Sequence, residues 1–315
     1  TGSQEHVRLL TEWAVETGFR IDDDGLFRGT ERISITTEEE IYQALRLRFI
    51  PPEIRQGGDE VRLARDGRLP ALIASDDLRG TFHVHTVWSD GAATIEEMAA
   101  EAEELGFEYL GVSDHSRRAS IANGLSPERL ERQMEEIDRW NRQGNRIRIL
   151  KGSEVDILED GSLDFGDALL ARLDFVIASI HERFGMDPQR MTDRLLRALD
   201  NPHLTILGHP TGRLLLEREP FGFDMDAVFR RAAERGVKVE LNASPRRLDP
   251  EPEMCRRAAG LGARLSIDPD AHHLGGIADV RYGIDQARRG WLTRGDVWNC
   301  LPLKEILAIK REFRK

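Results

Sequence analysis

From Leu78 onward, short apolar runs alternate with longer stretches whose apolar residues recur every three to four positions. The runs at Gly80–His85, Glu108–Ser113, Ile147–Glu154, Phe175–Ile180, Leu204–Gly208, Val237–Leu241 and Arg264–Ile267 predict β-strands. Between them, Thr94–Leu105, Pro127–Gln143, Pro188–Asp200, Asp224–Arg235 and Pro252–Gly260 predict amphipathic helices, followed by helices near Ala278–Gly290 and Leu303–Arg314. Strand–helix alternation calls for a parallel sheet covered by helices, an α/β fold. Seven such strands suit a closed (β/α) barrel better than an open sheet.

The first 77 residues read differently. His6–Glu16 predicts a short helix, Phe19–Ile35 is rich in turns and short strands, and Glu38–Arg46 predicts a helix with an acidic first turn after Thr37. Pro51-Pro52 and Gly57-Gly58 then break the chain. The pattern divides into a small α+β subdomain at 1–50, a linker at 51–77 with one short helix near Asp59–Arg65, and a large domain at 78–315.

Composition adds few constraints. No run approaches the ~18 to 20 apolar residues that a membrane span needs, and no secretory signal opens the chain. Cys255 and Cys300 are isolated and predict reduced core thiols, hence a cytoplasmic setting. The net charge of −11 argues against a chain-wide grip on nucleic acid, although arginine pairs could build a local phosphate patch.

Histidine placement carries the chemistry. Six of nine histidines fall at or just past the carboxy-terminal end of a predicted strand: His83, His85, His115, His181, His209 and His272. In a (β/α) barrel those ends share one face. His83-Val84-His85 and Asp270-Ala271-His272 each put two donors on one side of a strand, because side chains alternate with period two. Asp90, in a turn after the first strand, and Glu154, ending the third, complete a set of nine. Nine side chains exceed what one ion takes, so two or three ions are implied, with Glu154 as the natural bridge. Imidazole and carboxylate without thiolate suit Zn, Mn or Fe.

The motifs Phe82-His83-Val84-His85-Thr86, Ser89-Asp90-Gly91, Ser113-Asp114-His115-Ser116, Gly208-His209-Pro210 and Asp270-Ala271-His272 resemble the PHP (polymerase and histidinol phosphatase) domain over about Asp77–Gly290. Thr1-Gly2-Ser3 with His6, Glu39-Glu40-Ile41-Tyr42 and Ile50-Pro51-Pro52-Glu53 narrow the resemblance to the carboxy-terminal part of bacterial family X DNA polymerases. The resemblance implies a distorted (βα)7 TIM-like barrel with a thumb-like amino-terminal subdomain, and three divalent ions. It implies that His83, His85, Glu154 and Asp270 hold the first ion, Glu154, His181 and His209 the second, and Asp90, His115 and His272 the third. The polymerase palm carboxylates lie upstream of Thr1, so polymerisation is not expected of these residues alone.

Hydrolysis of phosphate esters by an ion-activated water follows as the expected activity, with no protein nucleophile. Arg213, Arg246 and Arg247, just past strand ends, could clamp the substrate phosphate. Ser113, Ser153 and His203 are expected to be structural, Asp114 to orient a ligand or pack below it, and His273 to serve either as leaving-group acid or on the surface. The leading expectation is a Mn-dependent 3′→5′ exonuclease on DNA 3′ ends, with 3′-phosphatase or abasic-site activity as variants. It carries a bacterial, cytoplasmic, nucleoid-associated setting and no membrane partner. A small-molecule phosphatase of the histidinol-phosphate type and a non-catalytic metal-stabilised module are the alternatives.

Overall fold

The structure is a computed structural model that describes residues 1–312. The chain forms two compact units, Thr1–Ala71 and Leu72–Lys315. The stretch read as a linker therefore belongs mostly to the first unit. Ile50 and Ile54 are fully buried there, which is why Pro51-Pro52 ends one element without freeing the chain.

In the first unit, α1 (Gln4–Glu16) precedes a three-stranded antiparallel sheet of β1 (Arg20–Asp22), β2 (Gly25–Arg28) and β3 (Glu31–Arg32). Helices α2 (Glu38–Ala44) and α3 (Glu60–Arg65) follow. Thr37 and Glu40 close a reciprocal capping box on α2, satisfying amide groups that the first helical turn leaves open. His6 is buried with its Nδ1 2.8 Å from Glu60 Oε1 and its Nε2 3.2 Å from the Tyr42 hydroxyl.

In the second unit the strands are β4 (Gly80–Thr81), β5 (Tyr109–Val112), β6 (Arg148–Lys151), β7 (Glu154–Asp156), β8 (Ile177–Ser179), β9 (Ile206–Leu207), β10 (Lys238–Asn242) and β11 (Leu265–Asp268). The helices are α4 (Ile95–Glu104), α5 (Pro127–Arg142), α6 (Asp167–Leu170), α7 (Pro188–Leu199), α8 (Met225–Arg235), α9 (Pro252–Gly260), α10 (Val280–Arg289) and α11 (Leu303–Glu312). The last residues of the helix expected to reach Arg314 lie outside the described residues. Every pairing between these strands is parallel: β4-β5-β6 form one sheet and β7-β8-β9-β10-β11 another. Two isolated parallel bridges join the sheets: His115, past the central strand β5, with Glu154 of β7, and Val84, past β4, with Ala271, past β11.

The predicted third strand breaks into β6 and β7 at Gly152-Ser153. A Cβ at Gly152 would stand 2.2 Å from the Phe175 ring, so only glycine lets the chain pass and change pairing partner there. The predicted first strand keeps regular pairing only at Gly80 and Thr81, with one bridge at Val84. Period-two alternation then sorts the side chains. Val239 and Leu241 pack with Val228 and Phe229 of α8 and Ile284 and Ala287 of α10. Val84, Leu110, Val112 and Ile149 pack with Met98 and Ala102 of α4. The intervening positions, His83, Glu154, Glu240 and Asn242 among them, are polar and buried. Both cysteines are buried free thiols. Among the described residues, no helix is long and apolar enough to cross a membrane.

Candidate metal centre

The ends of β4, β5, β7, β8, β9 and β11 bring all nine side chains singled out from the sequence into one cluster. Glu154 sits at its middle. Its Oε2 lies 2.9 Å from His115 Nδ1, 3.4 Å from His83 Nε2 and 3.6 Å from His85 Nε2. Its Oε1 lies 2.9 Å from His209 Nε2 and 3.2 Å from His181 Nε2. Asp270 Oδ1 faces His85 Nε2 at 3.3 Å and His83 Nε2 at 3.5 Å. Asp90 Oδ2 faces His272 Nε2 at 3.5 Å and His115 Nε2 at 3.7 Å.

These spacings fit divalent ions better than a hydrogen-bonded core. Buried polar groups are nearly always paired, yet His83 Nε2, both ring nitrogens of His85, His115 Nδ1, His209 Nδ1 and Glu154 Oε2 are buried without a hydrogen-bond partner. Several converge on shared points, as ligand atoms do. Three groups offer donor atoms within 4.8 Å of one another: His85, Asp90, His115 and His272; His83, His85 and Asp270; His115, Glu154 and His181. The groups cut across the division implied by the resemblance, because His85 and His115 each present a nitrogen to two of them.

Burial and mutual charge set the titration of the cluster in opposite senses. Burial opposes ionisation of Glu154, but His83, His181 and His115 outweigh it and hold the carboxyl well below its usual range. Asp270 is depressed likewise, burial being overcome chiefly by His83 and His85. Burial disfavours charge on His181, yet Glu154 and Asp156 push it up to about 10. Burial also opposes charge on His272, which Asp90 and Asp270 push up to about 9. Burial leads the lowering of His85 to about 3, with His115 and His272 adding repulsion. Burial and Arg247 bring His209 to about 4.

The remaining expectations separate. Arg247 Nε lies 3.2 Å from Asp270 Oδ2, and its Nη1 is buried without a partner. Arg213 is turned away to the Arg247 and Leu248 carbonyls and Glu251, and Arg246 pairs with Glu217. Asp114 fixes the turn before Asp90, accepting from Thr86 N at 2.8 Å, Thr86 Oγ1 at 2.7 Å and Ser89 N at 3.1 Å. Ser113 bonds Val84 N, and Ser153 bonds the Asp114 carbonyl. His273 Nδ1 accepts the Gly276 amide, capping a turn. His203 lines a cavity of about 340 Å³ near the starts of β9 and β10.

Sequence reading passed over the residues behind the ligands. Glu240 Oε1 is 2.5 Å from His83 Nδ1, and Asp156 Oδ1 is 3.1 Å from His181 Nδ1. A carboxylate at one ring nitrogen keeps the proton there and frees the other as a donor. Both lie in i, i+2 polar pairs, Glu154-Val155-Asp156 and Glu240-Leu241-Asn242. That is the spacing that marked the histidines.

Comparison with known proteins places the chain in a family. The PHP domain profile matches residues 81–239, half of the chain, and the DNA polymerase beta thumb profile matches residues 1–56. The DNA polymerase/3′-5′ exonuclease PolX of Bacillus subtilis (strain 168) is 40% identical over 310 residues, 98% of this chain and 54% of that protein. The chain thus spans about half the length of that relative. A probable phosphatase of Thermoanaerobacter sp. (strain X514) is 30% identical over 251 residues, 73% of this chain and 94% of that protein. The solved histidinol phosphate phosphatase of Lactococcus lactis, complexed with zinc, L-histidinol and phosphate, is 16% identical with a TM-score of 0.46, covering 66% of this chain and 93% of that one. With that profile over half its length and a phosphatase relative matched nearly end to end, the chain belongs to the PHP domain family, and it carries a DNA polymerase beta-type thumb ahead of that domain.

Proposed function

We propose that the chain is a divalent-metal-dependent phosphoesterase that acts on DNA 3′ ends as a 3′→5′ exonuclease. The observation that carries this reading is the convergence of unpartnered, buried imidazole nitrogens of His83, His85 and His115 on Glu154 Oε2. The polymerase-type thumb on the same chain and the PolX relative support DNA as substrate. The parallel sheets and the two bridges joining them support a distorted (βα)7 barrel for the second unit.

His83, His85 and Asp270 would hold one ion, His181 and His209 a second with Glu154 between them, and Asp90, His115 and His272 a third. Cys255 and Cys300 lie outside the cluster, so its all-imidazole and carboxylate donors suit Zn, Mn or Fe. When bound, such ions supply a water of lowered pKa and neutralise charge on the phosphate. The protein's own residues do the rest. Glu154 presents one oxygen to each of two histidine groups and so sets their separation. Burial of the His83, His85 and His209 rings keeps bulk water from that part of the cluster, which strengthens each charge interaction there.

Arg247 is the arginine poised for the substrate. Its unpartnered Nη1, beside Asp270, can donate to a phosphate oxygen. Arg247→Ala is expected to lower kcat/KM about 10- to 100-fold, the worth of one charge-assisted hydrogen bond. Arg246→Ala should change it by less than about threefold, since exposed ion pairs carry little. Steady-state kinetics on one oligonucleotide checks both.

A second reading, a phosphatase of small monoesters, rests on the end-to-end match to a probable phosphatase. The experiment that separates them is digestion of a 5′-labelled oligonucleotide in Mn²⁺ beside dephosphorylation of histidinol phosphate. A ladder of products shortened from the 3′ end supports the nuclease. An intact oligonucleotide with phosphate released from histidinol phosphate transfers the site to small esters.

A further inference from the structure

Among the buried carboxylates behind the cluster, Glu240 and Asp114 brace different parts of it. Glu240 is fully buried in β10. Its Oε1 lies 2.5 Å from His83 Nδ1, and its Oε2 accepts the His209 amide at 2.6 Å. Asn242 Nδ2 donates at 3.1 Å to Glu240 Oε2 and at 3.1 Å to Asp270 Oδ2. One carboxylate therefore reaches His83 and His209 directly and Asp270 through the Asn242 amide. Two of these, His209 and Asp270, have φ of +21° and +52°, backbone that non-glycine residues keep only when neighbours hold it.

Asp114 serves the other side. Besides Thr86 and the Ser89 amide, its carboxylate accepts from Ser89 Oγ at 2.5 Å and Gln133 Nε2 at 2.5 Å. These bonds fix the turn that delivers Asp90 to His115 and His272. No described hydrogen bond of the Asp114 carboxylate reaches His83, His209 or Asp270, and none of the Glu240 carboxylate reaches the Thr86–Asp90 turn.

We propose that Glu240 is the positioning residue for the Glu154-centred part of the metal centre and Asp114 for the Asp90-centred part, so that the two parts can lose their ions separately. The proposal rests on the metal-centre reading above. Its chemistry is an acceptor count. His83 Nδ1–H and the His209 amide both need an acceptor, and the Glu240 carboxylate offers two oxygens. Glutamine offers one. If its amide group turns toward His83, Nδ1 must become the acceptor, and the ring proton moves to Nε2, the atom facing Glu154 and Asp270. If it turns toward His209, two N–H groups face each other.

The test compares wild type, Glu240→Gln and Asp114→Asn, loaded with Co²⁺ and dialysed against graded chelator, with bound metal counted by mass spectrometry and the Co²⁺ absorption spectrum recorded. Glu240→Gln should keep the Asp90-side ion while the remaining ions bind about 10- to 100-fold more weakly. Asp114→Asn should show the reverse, and each variant should lose its own part of the spectrum. Loss of all ions at one chelator concentration in both variants, or wild-type binding by Glu240→Gln, overturns the proposal. A wild-type protein that holds no metal instead overturns the metal-centre reading itself. Should Glu240→Gln not fold, Asn242→Ala removes the shared amide donor, together with the Oδ1 that accepts the Ser244 amide. It should weaken the same ions by a smaller factor, and weakening confined to the Asp90-side ion contradicts the proposal.

Discussion

Glu154→Gln is expected to reduce hydrolysis by about 10³-fold or more, the largest effect of any single change in the cluster. Removing one preorganised group that stabilises the reacting charge typically costs about 10²- to 10³-fold. Glu154 is asked for more, because its two oxygens face five histidines and it sets the spacing of two donor groups. A glutamine fills the same volume, but its amide nitrogen brings hydrogens where a ring or an ion needs an electron pair. The carboxylate is fully buried, so solvent cannot supply a substitute. Circular dichroism should remain that of the wild type, since glutamine fills the same volume and leaves the backbone pairing of residue 154 with Ile177 in place. Turnover within tenfold of wild type in a folded Glu154→Gln protein contradicts the role given to it.

Chelation is expected to produce the second large effect, on stability as well as on activity. Each ion bound only by the folded state contributes about 2.7 kcal/mol when free metal is 100-fold above its Kd. For a domain of about 150 to 250 residues this corresponds to roughly 5 to 10 °C per ion. The loss should depend on pH. In the metal-free protein burial disfavours charge on both rings, but Glu154 and Asp156 push His181 up to about 10 and Asp90 and Asp270 push His272 up to about 9, above an ordinary 6.5. A histidine with a raised folded-state pKa contributes stability that is fully present below the unfolded value and is lost as pH rises through the folded one. Metal-free protein should therefore weaken from about pH 6.5 toward pH 9 to 10. Metal binding needs unprotonated rings, so its contribution grows over the same interval. The gap in Tm between metal-loaded and chelated protein should widen from pH 6.5 to 9, and a constant or narrowing gap contradicts the assignment of these rings.

Much of this site is legible in the chain because two simple periodicities carry it. Seven short apolar runs separated by amphipathic helices specify parallel strands, and the structure places strands within every one of them. Histidines at strand ends and i, i+2 pairs then bring nine donors to one place, a consequence of period two and of parallel strand direction rather than of any single residue. What escaped has equally physical causes. Glu240 and Asp156 obey the same spacing as the histidines, but a carboxylate inside a strand does not announce which ring it will face. The break at Gly152-Ser153 depends on the Phe175 ring, more than twenty residues later in the chain. The boundary near Ala71 was hidden by prolines and glycines that turn the chain within the first unit instead of releasing it. The arginines differ through their neighbours: Glu217 and Glu251 occupy Arg246 and Arg213, and only the folded chain leaves Arg247 beside Asp270 with an unpartnered nitrogen.

The most direct measurement is the metal content of protein purified without chelator, by inductively coupled plasma mass spectrometry, on wild type and His83→Ala in parallel. Two or three equivalents of Zn, Mn or Fe in the wild type, with at least one lost from His83→Ala, is the predicted result. Wild-type protein free of metal, and remaining so after incubation with Mn²⁺ or Zn²⁺, would contradict a metal centre built on Glu154 and its histidines.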